Sequence, residues 1–152
     1  FVVRPSASDP ALTKIENHDT GYIFMMREIS GQRVLTGRRR GFFIVREEDG
    51  LALSSRNRYL SAAERKTAPI LHQVLAETAA SLANGEGCDA VTSAGRFKLE
   101  GKGFRVDYVA VRDPETLAPL FGPIRGPARV MGAAFLGTTR LIDNVPTAPK
   151  NR

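Results

Sequence analysis

Two adjacent serines and two arginines in the segment 49–60 are the side chains of this sequence best suited to chemistry. The segment reads D-G-L-A-L-S-S-R-N-R-Y-L, so Ser54 and Ser55 directly precede Arg56, and Arg58 follows two residues later. A guanidinium presents a planar fork of donors to phosphate oxygens, and a serine hydroxyl adds a short hydrogen bond. The segment could therefore bind an oxyanion, although a solvated polar turn can have the same composition.

The residues on either side of this segment predict the elements that position it. Phe42–Val45 is a short apolar run, which predicts a buried strand leading into the loop. Asp49 and Gly50 form a turn signal at the start of the loop. Ser61 and Glu64 form a capping box, in which a hydroxyl and a carboxylate each accept a hydrogen bond from an otherwise unpaired backbone N–H. The loop is thus expected between a strand and a helix.

Helical spacing of apolar residues predicts two helices after the loop. The first should begin after Ser61, and Pro69 should kink or split it near Thr67 because proline lacks an N–H and clashes with the preceding turn. Gly85 is a natural end for it. The second helix is expected over 89–100. The apolar positions of the first are Ile70, Leu71, Val74, Leu75 and Leu82.

Three strands are predicted after the helices. Residues 104–111 alternate between apolar and polar at their start, and residues 128–136 read as a more buried strand. Gly132 within the latter predicts a bulge or close backbone packing, and residues 141–144 predict a short final strand. The sum is an α+β fold, a two-layer domain with two helices packed on a small, mainly antiparallel sheet.

The N-terminal residues carry a weaker pattern. Residues 1–20 are rich in Pro, Ser and Asp and read as an arm or loop. The apolar run 22–26 and the segment 33–36 are separated by a turn signal at Gly31, which favours a hairpin. We therefore expect an N-terminal arm or hairpin in front of the domain.

Several ordered motifs give the chain a family resemblance. Residues 45–61 resemble the signature that opens the C-terminal domain of the pantothenate synthetase (pantoate–beta-alanine ligase) family. The segments 103–109, 112–117, 128–130 and 136–144 resemble later strands and turns of the same domain, so that the resemblance covers 43–146. It implies three parts: an unmatched N-terminal arm or hairpin (1–42), a domain like the family's C-terminal one (43–146) and a frayed tail (147–152).

The resemblance also implies a part that this sequence does not contain. The family's enzymes are longer, with an N-terminal Rossmann-like domain that carries H-x-G-H and G-x-K-D motifs and two glutamines that contact pantoate. Here His18 stands in N-H-D-T-G and His72 in L-H-Q-V, and neither fits H-x-G-H. With Phe1 as its first residue, the chain is expected to be a partial or trimmed one that is inactive alone.

The family's activity supplies the expected ligands. It is an ATP-dependent carbon–nitrogen ligase that forms pantothenate from pantoate, β-alanine and ATP through a pantoyl adenylate. The resemblance places ATP binding at Val45, Leu53, Ser54, Ser55 and Arg56. Val45 and Leu53 would act through backbone or apolar contacts near the adenosine, and the other three would hold phosphate oxygens. The resemblance also implies a catalytic role for Arg56.

Mg²⁺ is expected with ATP, but no ligand for it is identified. Glu47, Glu48 and Asp49 could be its ligands, and solvated turn residues are the favoured interpretation. Arg58 either reaches phosphate or pairs with a nearby acid. His72 is interpreted as a residue of a helix face. A further group matches the family but is assigned to packing and strand-end hydrogen bonds rather than to catalysis: Arg129, Arg140, Asp143 and Asn144.

Composition bounds the class of protein. The chain has 152 residues, a net charge of +6 and 7% aromatic residues. Arg38–Arg40 is its one basic run, so nucleic-acid binding is a less favoured alternative, and the charge equally suits ATP or a carboxylate substrate. A non-catalytic binding module that kept this domain is the other alternative. Since such a domain exposes the face that meets its missing half, a homodimer is one expected partner.

Compartment follows from what the sequence lacks. Cys88 is the single cysteine, which excludes an intrachain disulfide and favours a reducing compartment. No apolar run reaches the ~18 residues needed to span a membrane. No continuous apolar core at the N-terminus suggests a signal peptide. A cytoplasmic location without a membrane partner is therefore expected.

Overall fold

The fold is described from a computed structural model over residues 2–5, 12–17, 22–29, 32–40 and 44–150. For the first four ranges the description covers the backbone. The chain forms two compact units, Phe1–Phe43 and Ile44–Arg152, and each is described by itself.

The first unit contains a four-stranded antiparallel sheet with the strand order β1-β2-β3-β4. The expected hairpin is confirmed as β3–β4, where Ile29 lies opposite Gln32. The expected arm over residues 1–20 was wrong, because β1 and β2 pair within that range, a pairing that the β-branched residues of V-V-R-P and L-T-K-I-E-N favour. The strands are β1 (Val2–Pro5), β2 (Leu12–Asn17), β3 (Tyr22–Ile29) and β4 (Gln32–Arg40).

The second unit is the expected two-layer α+β domain. Its sheet has the order β5-β6-β7 and both pairings are antiparallel. The helix Ile70–Ala83 packs on β6 and β7, and the helix Cys88–Glu100 packs on β5, so these two helices cover one face of the sheet. The elements are a 3₁₀ helix (Ser55–Tyr59), α1 (Ala62–Thr67), α2 (Ile70–Ala83), α3 (Cys88–Glu100), β5 (Arg105–Arg112), β6 (Ala128–Leu136) and β7 (Thr139–Thr147).

The helix boundaries follow the expected signals. The Ser61 hydroxyl accepts a hydrogen bond from the Glu64 N–H at 3.2 Å, and the Glu64 carboxylate accepts one from the Ser61 N–H at 2.8 Å. Pro69 separates α1 from α2 and so splits the predicted helix. Gly85, with φ of 99°, follows the end of α2, where a left-handed conformation favours glycine.

Close packing between α2 and the sheet explains Gly132. A Cβ atom at Gly132 would stand 2.9 Å from Cδ2 of Leu75, which is fully buried. This confirms the close approach predicted for that glycine and shows why a larger residue would disturb the core.

Cys88 is also buried, and burial raises the pKa of its thiol, with Asp89 as a lesser cause, so the thiol stays protonated and has a packing role at the start of α3.

Two expected boundaries differ from the structure. The strand predicted over 42–45 was wrong where it can be compared: Ile44 and Val45 lie outside any strand, and Phe42 and Phe43 lie outside the described residues. Within the predicted frayed tail, the Thr147 hydroxyl donates to the Ala79 carbonyl at 2.7 Å and the Lys150 N–H donates to the Ala83 carbonyl at 3.0 Å, so this part is attached to α2, and residues 151 and 152 lie outside the described residues. Two backbone carbonyls of α2 accept these hydrogen bonds and so stabilise the tail.

In the described ranges no helix has the length and apolar character needed to cross a bilayer.

Candidate phosphate-binding site

A tight turn carries the chain into the serine–arginine segment. The backbone of Arg46 pairs with that of Ala52, and the Leu53 N–H donates to the Val45 carbonyl at 2.8 Å. The turn between them contains Gly50 with φ of 90°, a conformation that side-chain-bearing residues rarely adopt. The hydrogen bond brings Val45 and Leu53 together, with Val45 half-buried and Leu53 63% exposed.

The expected phosphate-binding residues occupy one exposed turn. Ser54 is the N-cap of the 3₁₀ helix, and its hydroxyl accepts a hydrogen bond from the Arg56 N–H at 3.2 Å. Ser54, Ser55 and Arg56 are all exposed, so their side chains are adjacent and open to solvent. The Arg58 guanidinium stacks on the Tyr59 ring, 5.4 Å from the ring centroid, and pairs with no acid among the described residues, while its contact with phosphate stays a prediction.

Ion pairs hold this turn from the side of α1. Arg65 donates to Glu47 at 2.7 Å and to Asp49 at 2.6 Å. The Glu47 carboxylate also accepts from the Asn57 amide at 3.0 Å. Two of the three acids interpreted as solvated turn residues are therefore ion-paired, and this correction leaves only Glu48 as a plain exposed residue.

These contacts change the acidity of both carboxyl groups. The hydrogen bond from Arg65 is the largest cause that lowers the pKa of Glu47, followed by the one from Asn57. The hydrogen bond from Arg65 is likewise the largest cause that lowers the pKa of Asp49. Both groups therefore stay charged at neutral pH. Over the described residues no three His, Cys, Asp or Glu side chains converge as metal ligands.

Asn57 ties the 3₁₀ helix to the turn, and its removal has a measurable cost. Its amide donates to Glu47 and to the Ala52 carbonyl, each at 3.0 Å, while its own carbonyl oxygen is buried without a partner. The two donated hydrogen bonds stabilise the fold, and the cost of burying the unpaired oxygen offsets part of that stabilisation. We therefore expect Asn57→Ala to lower the free energy of unfolding by about 1 kcal/mol. Urea unfolding measures the difference. The exposed Asn84→Ala is the matched control, and an equal loss in both variants would contradict the prediction.

A buried ion pair fastens the base of the turn to β7. Arg46 contacts both carboxylate oxygens of Asp143, at 2.6 and 2.8 Å, and also donates to the carbonyls of Gly50 at 3.0 Å and Asn144 at 3.2 Å. The Asp143 side chain is only 2% exposed. Arg129 in turn donates to the Asn144 side chain. Asp143, Asn144 and Arg129 thus have the structural role expected of them.

His72 lies beneath the same turn. Its Nδ1 atom is 3.5 Å from a carboxylate oxygen of Asp143, and its ring would meet a Cβ atom at Gly50 at 3.0 Å. Burial lowers the pKa of His72 below its ordinary value of 6.5, Arg46 lowers it further, and Asp143 opposes both. His72 is therefore neutral at neutral pH and supports the turn as part of the α2 face.

The lowered pKa of His72 makes stability depend on pH. A histidine with a depressed pKa binds fewer protons when folded than when unfolded, so its contribution is present above pH 6.5 and is lost as the pH falls below that value. We expect the free energy of unfolding to fall between about pH 7 and pH 5.5 and to fall less in His72→Gln. The lowered pKa values of Glu47 and Asp49 affect stability at lower pH, where their contribution is lost as the pH falls below the ordinary values of 4.5 and 3.8.

Chemical denaturation at several pH values tests this. The chain has two histidines, so His18→Gln is the control for the loss of one titrating group. A wild-type slope retained in His72→Gln would assign the pH dependence to another group.

Two arginines that hold the site, Arg46 and Arg65, were missed from the sequence. Arg46 precedes the acidic run E-E-D, a local signal for a charged turn, but its partner Asp143 is 97 residues away. Sequence spacing alone does not identify such a partner. Arg140, assigned to packing, lies beside Arg56 and makes an exposed ion pair with Asp107 at 2.7 Å.

Comparison with known proteins identifies the family. The family model described as Pantoate-beta-alanine ligase matches residues 15–146. The chain belongs to this family. The matched range begins closer to the N-terminus than the expected position 43, and it includes β3 and β4 of the first unit.

Relatives and structures of the pantoate–beta-alanine ligase family agree with this assignment. The chain is 55% identical over 101 residues to the pantothenate synthetase of Acidiphilium cryptum (strain JF-5), covering 66% of this chain and 36% of that protein. It is 54% identical over 106 residues to that of Dinoroseobacter shibae, covering 69% and 38%. A crystal structure of pantothenate synthetase from Thermus thermophilus matches with a TM-score of 0.61 and 44% identity, over 69% of this chain and 38% of that one. The chain therefore spans just over a third of these relatives.

Proposed function

We propose that the second unit is the C-terminal, ATP-phosphate-binding domain of a pantoate–beta-alanine ligase. In that reaction the pantoate carboxylate attacks the α-phosphorus of ATP and pyrophosphate leaves, and the amine of β-alanine then displaces AMP to form pantothenate. The complete enzyme would be an ATP-dependent carbon–nitrogen ligase. The family membership and the exposed Ser54-Ser55-Arg56 turn support this proposal.

The observation that carries the proposal is an unoccupied guanidinium on a fixed turn. Among the described residues Arg56 has no acid or carbonyl partner, whereas Arg46 and Arg65 are held in ion pairs and Arg58 stacks on a ring. An arginine that is free to accept a ligand next to two hydroxyls suits a phosphate group.

The proposed role is electrostatic. Negative charge moves to the bridging and leaving oxygens as pyrophosphate departs, and fixed donors stabilise that charge without reorganising during the step. Ser54 and Ser55 would bind phosphate oxygens, and Arg56 would neutralise the leaving group. The Arg46 and Arg65 contacts would keep the turn in place, so that the donors remain oriented.

ATP binding by the chain as it stands tests the proposal. Isothermal titration should show saturable binding of ATP that weakens with salt, because exposed charges are screened. Arg56→Gln should lose this binding, and Arg58→Gln is the matched control because it removes the same charge from the same 3₁₀ helix. Absence of saturable ATP binding, or equal losses in both variants, would contradict the proposed site.

We further expect no pantoate–beta-alanine ligase activity from this chain alone. Its sequence contains neither H-x-G-H nor G-x-K-D, so it lacks the groups that would orient the two substrates. The assay is AMP and pantothenate formation with ATP, pantoate and β-alanine, with Arg56→Ala as the control for contaminating host enzyme. Turnover by the homogeneous chain that disappears in Arg56→Ala would show the expectation to be wrong.

A further inference from the structure

An open pocket of 450 Å³ joins the serine–arginine turn to the turn between β6 and β7. We call it the turn pocket. Its lining contains two guanidinium groups, three hydroxyl groups and no carboxylate: Arg56, Tyr59, Thr138, Thr139 and Arg140. The lining carries positive charge and hydroxyl donors without negative charge, which is the chemistry that binds an anion.

The β6–β7 turn is held in a defined position. Leu136 pairs with Thr139 across it, and Gly137 has φ of 55°. A Cβ atom at Gly137 would collide with the Glu64 carboxylate, so the turn lies directly against the N-terminal turn of α1. Thr138 and Arg140 therefore stand at fixed positions relative to the element that follows Arg56 in the chain.

Arg140 can exchange its present partner for a ligand. Its Nε and Nη2 atoms donate to one oxygen of Asp107, at 3.1 and 2.7 Å, and Nη1 donates to none of the described residues. The two side chains are 36% and 46% exposed. An exposed pair of this kind contributes little to stability, so a more highly charged anion competes for the guanidinium at small cost.

We propose that the turn pocket is a second anion subsite, which holds one end of a linear polyphosphate while Ser54, Ser55 and Arg56 hold the other. The inference rests on the proposed function, because it extends the same phosphate site onto β7. The ligand class is a linear polyphosphate, either the triphosphate of a nucleotide or the pyrophosphate released from it. Asp107 holds Arg140 when no such ligand is bound.

The subsite predicts a dependence on the length of the phosphate chain. Tripolyphosphate should bind the full chain more tightly than orthophosphate, because orthophosphate would occupy one of the two proposed subsites and the longer anion both. Arg140→Gln should weaken tripolyphosphate binding about tenfold, the effect of losing one charge-assisted hydrogen bond, and should leave orthophosphate binding unchanged. Asp107→Asn breaks the same ion pair but frees Arg140, so it should tighten tripolyphosphate binding.

Isothermal titration of the variants separates the outcomes. Arg125→Gln is the control, since Arg125 is an exposed arginine that does not line the pocket. Titrations with ATP, AMP and pyrophosphate distinguish the nucleotide from the released anion as the source of the ligand. Wild-type tripolyphosphate binding in Arg140→Gln with a loss in Arg56→Gln would overturn the second subsite and keep the proposed function. Absence of tripolyphosphate binding by the wild-type chain would overturn the subsite, while ATP titration of the same sample would decide the proposed function separately.

Discussion

Arg56→Ala in a complete enzyme carrying this domain should lower the rate of adenylation by about 100- to 1,000-fold, the usual cost of removing one donor to developing charge. The side chain is exposed and has no partner among the described residues, so the free energy of unfolding should change by less than about 0.5 kcal/mol. Arg56→Lys should recover only part of the rate, because a point charge does not replace a bidentate fork.

Pyrophosphate release in a single turnover measures this step. Arg58→Ala is the matched control. It removes an equal charge two residues away from Arg56, and the Arg58 guanidinium stacks on the Tyr59 ring. An adenylation rate in Arg56→Ala equal to that of the control would remove Arg56 from the site.

Arg46→Met should be the most destabilising single change at the base of the turn. It removes the bidentate arginine partner of Asp143, whose side chain is 2% exposed, and leaves a buried carboxylate with only the Asn144 N–H and the His72 ring beside it. Breaking one side of such a pair lowers the free energy of unfolding by about 3 kcal/mol. Urea unfolding measures the loss, and Lys98→Met, which breaks the exposed Lys98–Glu77 pair, should lose less than about 1 kcal/mol.

A second substitution checks the physical cause. If the cost of Arg46→Met comes from the stranded carboxylate, adding Asp143→Asn should recover part of it, because the charge is then removed. A double variant as unstable as the sum of the two single variants would show that the loss has another origin.

Local signals predicted much of the second unit. The capping box, Pro69 and Gly85 are short-range devices whose physics depends on neighbouring residues, so they located the helices from sequence. The alternation in β5 and the small residues of β6 similarly predicted the sheet. The strands of the first unit were harder because short segments such as Val2–Pro5 carry little periodicity, and pairing with distant residues decides their conformation.

The candidate site divides in the same way. The serine–arginine turn could be found because its residues are consecutive, and the family resemblance gave them a role. The partners Arg46–Asp143 and Arg65–Glu47 depend on the tertiary fold, since each arginine has several acids within reach in sequence and geometry alone selects one. Arg140 was assigned to packing for the same reason: its position beside Arg56 arises only when β7 lies next to the 3₁₀ helix.

The separation of 97 positions between Arg46 and Asp143 also sets an order of events during synthesis. Arg46 leaves the ribosome before β7, the strand whose carboxylate fixes it, so loop closure over that distance must precede the ion pair. Contacts of such large sequence separation form late in folding. We therefore expect the serine–arginine turn to become fixed at its base only once β7 has been made, and a nascent chain that ends before β7 presents Arg46 without the acid that holds it.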